Sequence, residues 1–92
     1  SNPYLSLSQI ADELGISYGY LSTIFTKTEG KSFKAFLIDV RMDKARALLL
    51  SRKYRIYEIA DMVGYSSTRY FTEAFHKYYG CSPIDYLQNL NA

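Results

Sequence analysis

Ile10-Ala11-Asp12-Glu13-Leu14-Gly15-Ile16-Ser17 and Ile59-Ala60-Asp61-Met62-Val63-Gly64-Tyr65-Ser66-Ser67 are two versions of one short pattern within the same chain. A shift of 49 positions superposes Ile-Ala-Asp and the glycine that follows, pairing Gly15 with Gly64. A shift of 50 then pairs Ser17 with Ser67, Tyr20 with Tyr70, Phe25 with Phe75 and Lys27 with Lys77. It also pairs Gly30 with Gly80, Ser32 with Ser82 and Leu37 with Leu87, for eleven identities in all. The second copy carries one extra residue in its turn. Two copies are too few for a solenoid, so the repeat is a duplicated supersecondary unit.

Each copy reads as helix, tight glycine turn, helix. The small residue (Ala11, Ala60) lets the second helix cross close to the first. The glycine takes a left-handed backbone, and a large apolar residue (Leu21, Phe71) plugs the joint. Outward from these stretches, apolar residues recur at helical spacing and strand-like alternation is absent. The spacing predicts helices over 7–14, 17–29, 33–50, 56–63, 67–79 and 83–90. Ser6 with Gln9 forms a capping-box pattern, Ser17 and Ser67 stand at N-cap positions, and Ser82-Pro83 opens the last helix. The expected fold is all-α, with two helix-turn-helix motifs joined by a long linker helix and followed by a short C-terminal helix. One domain over 3–90 is expected, with the first motif at 5–30, the linker helix at 32–51, the second motif at 55–80 and the C-terminal helix at 82–90. Ser1-Asn2 reads as an expression scar and is set aside.

The helical wheel separates two faces on each second helix. Leu21, Ile24 and Phe25 point inward, and Gly19, Ser22, Thr23, Thr26 and Lys27 lie opposite. In the second copy the opposite arc holds Arg69, Thr72, Glu73, His76 and Lys77. A recognition helix reads base edges through its N-terminal residues while flanking groups hold phosphates. The linker, at ~1.5 Å per residue, spans about 27 Å, against about 34 Å between successive major-groove faces. A rigid spacer of this length can place both recognition helices in adjacent major-groove segments.

Ile59-Ala60-Asp61-Met62-Val63-Gly64-Tyr65, then Tyr70-Phe71, Phe75-His76-Lys77, Gly80, Ser82-Pro83 and Tyr86, are similar to the second-motif signature of the AraC/XylS family of bacterial transcription regulators. Leu21-Ser22-x-Ile24-Phe25-x-Lys27 and Gly30-x-x-Phe33 resemble its first motif, and Arg41-x3-Ala45-x2-Leu48-Leu49 its linker helix. The resemblance covers residues 5–87 and is to the C-terminal DNA-binding domain. It implies sequence-specific double-stranded DNA binding that usually activates transcription in the cytoplasm. It also implies RNA polymerase as a partner of the full-length regulator, and dimerisation through a domain absent here. Base contacts are implied at Tyr18, Gly19, Ser22, Thr23, Thr68, Arg69, Thr72 and Glu73, with phosphate contacts expected at Ser17, Lys27, Ser67, His76 and Lys77. Two departures stand out. The family's additional helix before the first motif is missing, with only Pro3 and Tyr4 in its place, and Leu87 occupies a position where arginine often follows Tyr86.

Several positions carry more than one reading. Arg69 can contact guanine bidentately, or be solvated or paired with Glu73 a turn later. Glu73 can accept from a cytosine amino group or orient Arg69. Gly19 offers almost no side chain, so the first motif reads weakly or by shape. Lys27 and Lys77 read as phosphate contacts or as solvated lysines. His76 stands apart from any metal-ligand spacing, and Cys81 is an incidental or structural thiol with no partner for an internal disulfide. Tyr20, Tyr70 and Tyr86 fall on apolar faces, which predicts core packing.

Composition narrows the remaining choices. The chain has 92 residues, with 11 Lys+Arg against 9 Asp+Glu, for a net charge of +2. No apolar run approaches the ~18 residues of a membrane helix. There is no nucleophile–base pair, phosphate loop or metal cluster, so neither an enzyme, a cofactor nor a metal site is expected. The alternative to DNA binding is a helical protein–protein interaction module. Charge is unevenly placed: residues 1–30 carry −2, residues 31–55 carry +6 and residues 56–92 carry −2. The basic excess lies in the linker and the segment after it, and each motif region is slightly acidic.

Overall fold

The structure, a computed structural model, describes residues 6–90; Pro3, Tyr4 and Leu5, where the domain and first motif were expected to begin, lie outside them. Six helices follow in order, with no strand among the described residues: α1 (Leu7–Leu14), α2 (Tyr18–Glu29), α3 (Phe33–Ser51), α4 (Ile56–Met62), α5 (Thr68–Tyr79) and α6 (Pro83–Leu90). None is long and apolar enough to cross a membrane. The chain divides within α3 into two units, residues 1–39 and 40–92.

In the first unit, α1 opens with a complete capping box. Ser6 Oγ accepts the Gln9 N–H at 3.1 Å, and Gln9 Oε1 accepts the Ser6 N–H at 2.9 Å. Two of the donors that every helix start leaves without partners are thereby satisfied. Leu7 and Ala11 are buried. The helix stops at Gly15, whose φ of +71° is left-handed, and the Ile16 N–H donates back to the Ala11 carbonyl at 3.1 Å. Farther along, the Phe25 ring meets Phe33 and Phe36 edge-on, each at 5.3 Å between centroids. This joins α2 to the start of α3, and Lys31 pairs with Asp39 nearby.

The second unit repeats that joint. Ala60 is buried, Gly64 has a φ of +92°, and the Tyr65 N–H donates to the Ala60 carbonyl at 2.9 Å. Ile16→Ala11 and Tyr65→Ala60 are one hydrogen bond made twice, 49 residues apart. The copies diverge only after it, where Ser66 is inserted before the cap. Here the core is deeper: Met42, Ala45, Leu49, Ile59, Val63, Phe71, Phe75 and Pro83 are buried along with Ala60. Phe75 packs against Phe71, Tyr79 and Tyr86 with centroids 5.9, 4.6 and 5.7 Å away. Three polar contacts tie α3 to the motif and to α6. Tyr79 donates its hydroxyl to the Met42 carbonyl at 2.9 Å, Arg46 Nε donates to the Tyr86 hydroxyl oxygen at 2.8 Å, and the Arg41 guanidinium lies 5.4 Å from the centre of the Tyr65 ring.

Tyr86 is part of this cluster, as its apolar face implied. Tyr20 and Tyr70 are not core residues: they are 60% and 57% exposed. Both occupy the third residue of their helix, and a helical side chain leans toward the N-terminus. Their rings are carried out past the first turn, while the neighbouring Phe71 is buried and Leu21 half-buried.

The unequal cores predict unequal stability. Amide exchange in α1 and α2 should be faster than in α4 and α5, because α2 has no buried residue whereas α5 buries Phe71 and Phe75. Phe75→Ala should cost about 3–5 kcal/mol in denaturant unfolding. Burial pushes the Tyr79 hydroxyl above the ordinary tyrosine range, with the nearby Tyr78 adding to the rise and Arg46 opposing it. The folded state therefore holds this proton more tightly than the unfolded chain. Its contribution is fully present below about pH 10 and is lost as pH rises through the folded value. Tyr79→Phe should flatten that alkaline loss in a series of melting curves.

Candidate nucleic-acid interface

The second helices of the two motifs, α2 and α5, start in the same way. Ser17 Oγ accepts the Tyr20 N–H at 3.1 Å, and Ser67 Oγ accepts the Tyr70 N–H at 3.1 Å. Each expected phosphate-contacting serine is thus also an N-cap. An N-cap hydroxyl used as an acceptor keeps its own proton for a phosphate oxygen. The positive end of the helix dipole lies at the same place.

Tyr18, Gly19 and Thr23 on α2 are exposed, and Ser22 is half-buried. Thr23 and Thr26 turn their hydroxyls back to the Gly19 and Ser22 carbonyls, each at 2.9 Å. These two threonines therefore present methyl groups and oxygen lone pairs rather than hydroxyl donors. A Cβ added at Gly19 would meet nothing within 4 Å, and Gly19 is absent from the left-handed glycines. Neither the backbone nor the packing requires glycine there. Lys27 is exposed in the last turn, where the carboxyl end of a helix favours cations.

On α5, Thr68, Arg69 and Glu73 are exposed and Thr72 is half-buried. Thr72 donates its hydroxyl to the Thr68 carbonyl at 2.6 Å. Arg69 Nε lies 3.2 Å from Glu73 Oε1, with the two side chains 84% and 62% exposed. A pair this solvated contributes little to stability. Arg69, Thr72, Glu73, His76 and Ser82 line one open concavity beside the helix, so four outward residues of α5 meet the residue preceding α6. His76 and Lys77 are exposed in the last turn.

The structure therefore brings the expected residues of each copy onto one outward face, α2 for the first and α5 for the second. Sequence reasoning missed Tyr20 and Tyr70, which stand exposed at equivalent positions beside these faces with their backbone N–H groups capped. Their pairing under the 50-residue shift was the signal that could have found them. Among the described residues no three His, Cys, Asp or Glu side chains are grouped to hold a metal ion.

Two helix-turn-helix units, each offering a capped second helix with a polar outward face, define the class of protein. The chain matches the family model described as a helix-turn-helix domain over residues 10–89, and it belongs to the AraC-type helix-turn-helix family. It is 36% identical over 86 residues to the Msm operon regulatory protein of Streptococcus mutans, covering 94% of this chain and 31% of that protein. It is 39% identical over 84 residues to the transcriptional activator AggR of Escherichia coli, covering 89% and 31%. The C-terminal domain of AraT, a response regulator from Geobacillus stearothermophilus, matches with a TM-score of 0.87 and 42% identity, covering 92% of this chain and 70% of that one. The chain thus spans about a third of the length of these two curated relatives.

Since open space surrounds Gly19, Gly19→Ala should raise stability by up to about 1 kcal/mol, read as a higher denaturation midpoint.

Proposed function

We propose that this chain binds double-stranded DNA with sequence preference as the DNA-binding part of a bacterial transcription regulator. On this reading α2 and α5 each lie in a major-groove segment. The observation that carries it is the duplicated joint, which turns two serine-capped helices outward with short polar side chains at their N-terminal ends. Such ends suit base edges, and the capping hydroxyls and helix dipoles beside them suit phosphates. The relatives named as operon regulator and transcriptional activator support the same reading. Tyr18, Gly19, Ser22, Thr23, Thr68, Arg69, Thr72 and Glu73 form the base-facing set. Ser17, Ser67, Lys27, His76 and Lys77 form the phosphate-facing set, to which we add Tyr20 and Tyr70. Contact with RNA polymerase and dimerisation are assigned to the longer regulator.

Neither residues 1–30 nor residues 56–92 carry a basic excess, so non-specific attraction by the motifs is modest and two motifs bound together supply much of the affinity. Binding of a site selected from a random DNA pool should weaken with salt at a log–log slope of about −2 to −4, at roughly −0.9 per phosphate neutralised. Affinity that is independent of salt and sequence would instead support a protein-interaction module. Arg69→Ala should cost about 1–3 kcal/mol of discrimination at one base pair, measured by competition at fixed salt. Tyr20→Phe and Tyr70→Phe should each weaken binding by about 0.5–1.5 kcal/mol. Their loss should be equal across sequences, as expected for phosphate contacts.

A further inference from the structure

The Arg69–Glu73 pair assigns different roles to its two members. We propose that Glu73 is a positioning residue that reads no base: its carboxylate accepts the Nε–H of Arg69 and turns the terminal edge of the guanidinium toward a guanine. This inference rests on the DNA-binding reading and concerns what the second motif recognises.

A guanidinium carries five N–H groups in a fixed planar fork. Glu73 Oε1 lies 3.2 Å from Arg69 Nε, which occupies the single donor nearest the aliphatic stem. The two Nη groups at the far end then form a parallel pair of donors, suited to the O6 and N7 acceptors of guanine. The neighbouring residues leave this role to Arg69. The Thr72 hydroxyl proton is already engaged by the Thr68 carbonyl. His76 stands two helical turns beyond Arg69, in the last turn of α5.

Solvent screens the pair in the free protein. Inside a groove the surrounding dielectric falls, and the same contact holds the arginine in one rotamer more firmly. A carboxylate that left Arg69 to read a base would face the phosphate field with its charge uncompensated. Paired with Arg69, that charge is neutralised. The first motif supplies the contrast: the 50-residue shift places Gly19 where Arg69 stands and Thr23 where Glu73 stands. The device belongs to the second copy alone.

The test compares the 92-residue wild-type chain with Glu73→Ala, Glu73→Gln, Arg69→Ala and the Arg69→Ala/Glu73→Ala double variant. Each is titrated at fixed salt with the selected site and with every single-base change in its second half. The readout is the affinity ratio between bases, because removing an acidic side chain raises affinity for all DNA. Melting curves confirm that each variant is folded. At one guanine, Glu73→Ala should lower discrimination about tenfold. Glu73→Gln, whose amide oxygen can still accept from Nε, should stay within about threefold of wild type. Arg69→Ala should abolish the preference and make Glu73→Ala silent when the two are combined. Intact guanine preference in Glu73→Ala overturns the inference alone, as does a cytosine preference that survives Arg69→Ala and is lost with Glu73. Wild-type binding without sequence preference overturns the DNA-binding reading and the inference together.

Discussion

A single backbone hydrogen bond, made once in each copy, sets the direction of every outward side chain. When Ile16 donates to the Ala11 carbonyl and Tyr65 to the Ala60 carbonyl, the chain leaves one helix through a left-handed glycine and enters the next at a fixed angle. An alanine at the crossing is what permits this, since both Ala11 and Ala60 are buried and a bulkier side chain would force the helices apart. The serine caps then start α2 and α5 at a defined residue. The face each helix turns to solvent follows from that residue and from the 3.6-residue period. A change in the joint would alter the direction of all the outward residues of that helix at once.

The two copies keep this joint in common but differ around it. In the second, Phe71 and Phe75 are buried against a chain of aromatic rings, and hydroxyl and guanidinium contacts fasten the motif to α3 and α6. In the first, α2 buries no residue fully, and Phe25 with its two edge-on partners is its main aromatic contact. The second copy also carries arginine at position 69, where the first has glycine at position 19. On the proposed function, the more deeply packed copy thus carries the larger reading side chain.

Helices, caps and the duplicated turn were legible in the sequence because each is a local pattern. Apolar residues at helical spacing, glycine at the helix end and serine at its start are read within a window of about a dozen residues. The predicted ranges for α1 and α6 match the structure residue for residue, and the others differ by one residue at an end. The fate of Tyr20 and Tyr70 was not local. A wheel places them near the apolar stripe, but burial needs a facing element, and their rings lean out past the first turn of the helix. Nor could spacing foretell that Tyr79 would find the Met42 carbonyl or Arg46 the Tyr86 hydroxyl, 37 and 40 residues away in the chain. Of the outward face, sequence indicated which side chains of α2 and α5 lie opposite the apolar stripe. The engaged hydroxyls of Thr23 and Thr72, and which guanidinium nitrogen meets Glu73, needed coordinates.

The joint draws only on residues that face inward or bond through their backbone, and the outward arcs draw on none of them. What must be inherited unchanged for the chain to fold is therefore separate from what meets the outside world. A duplicated unit built this way can let one copy's vocabulary drift, as glycine has diverged from arginine and threonine from glutamate, while its grammar persists in both. The extra serine in the second turn falls between the shared hydrogen bond and the shared cap, so even the one difference in length leaves both signatures in place.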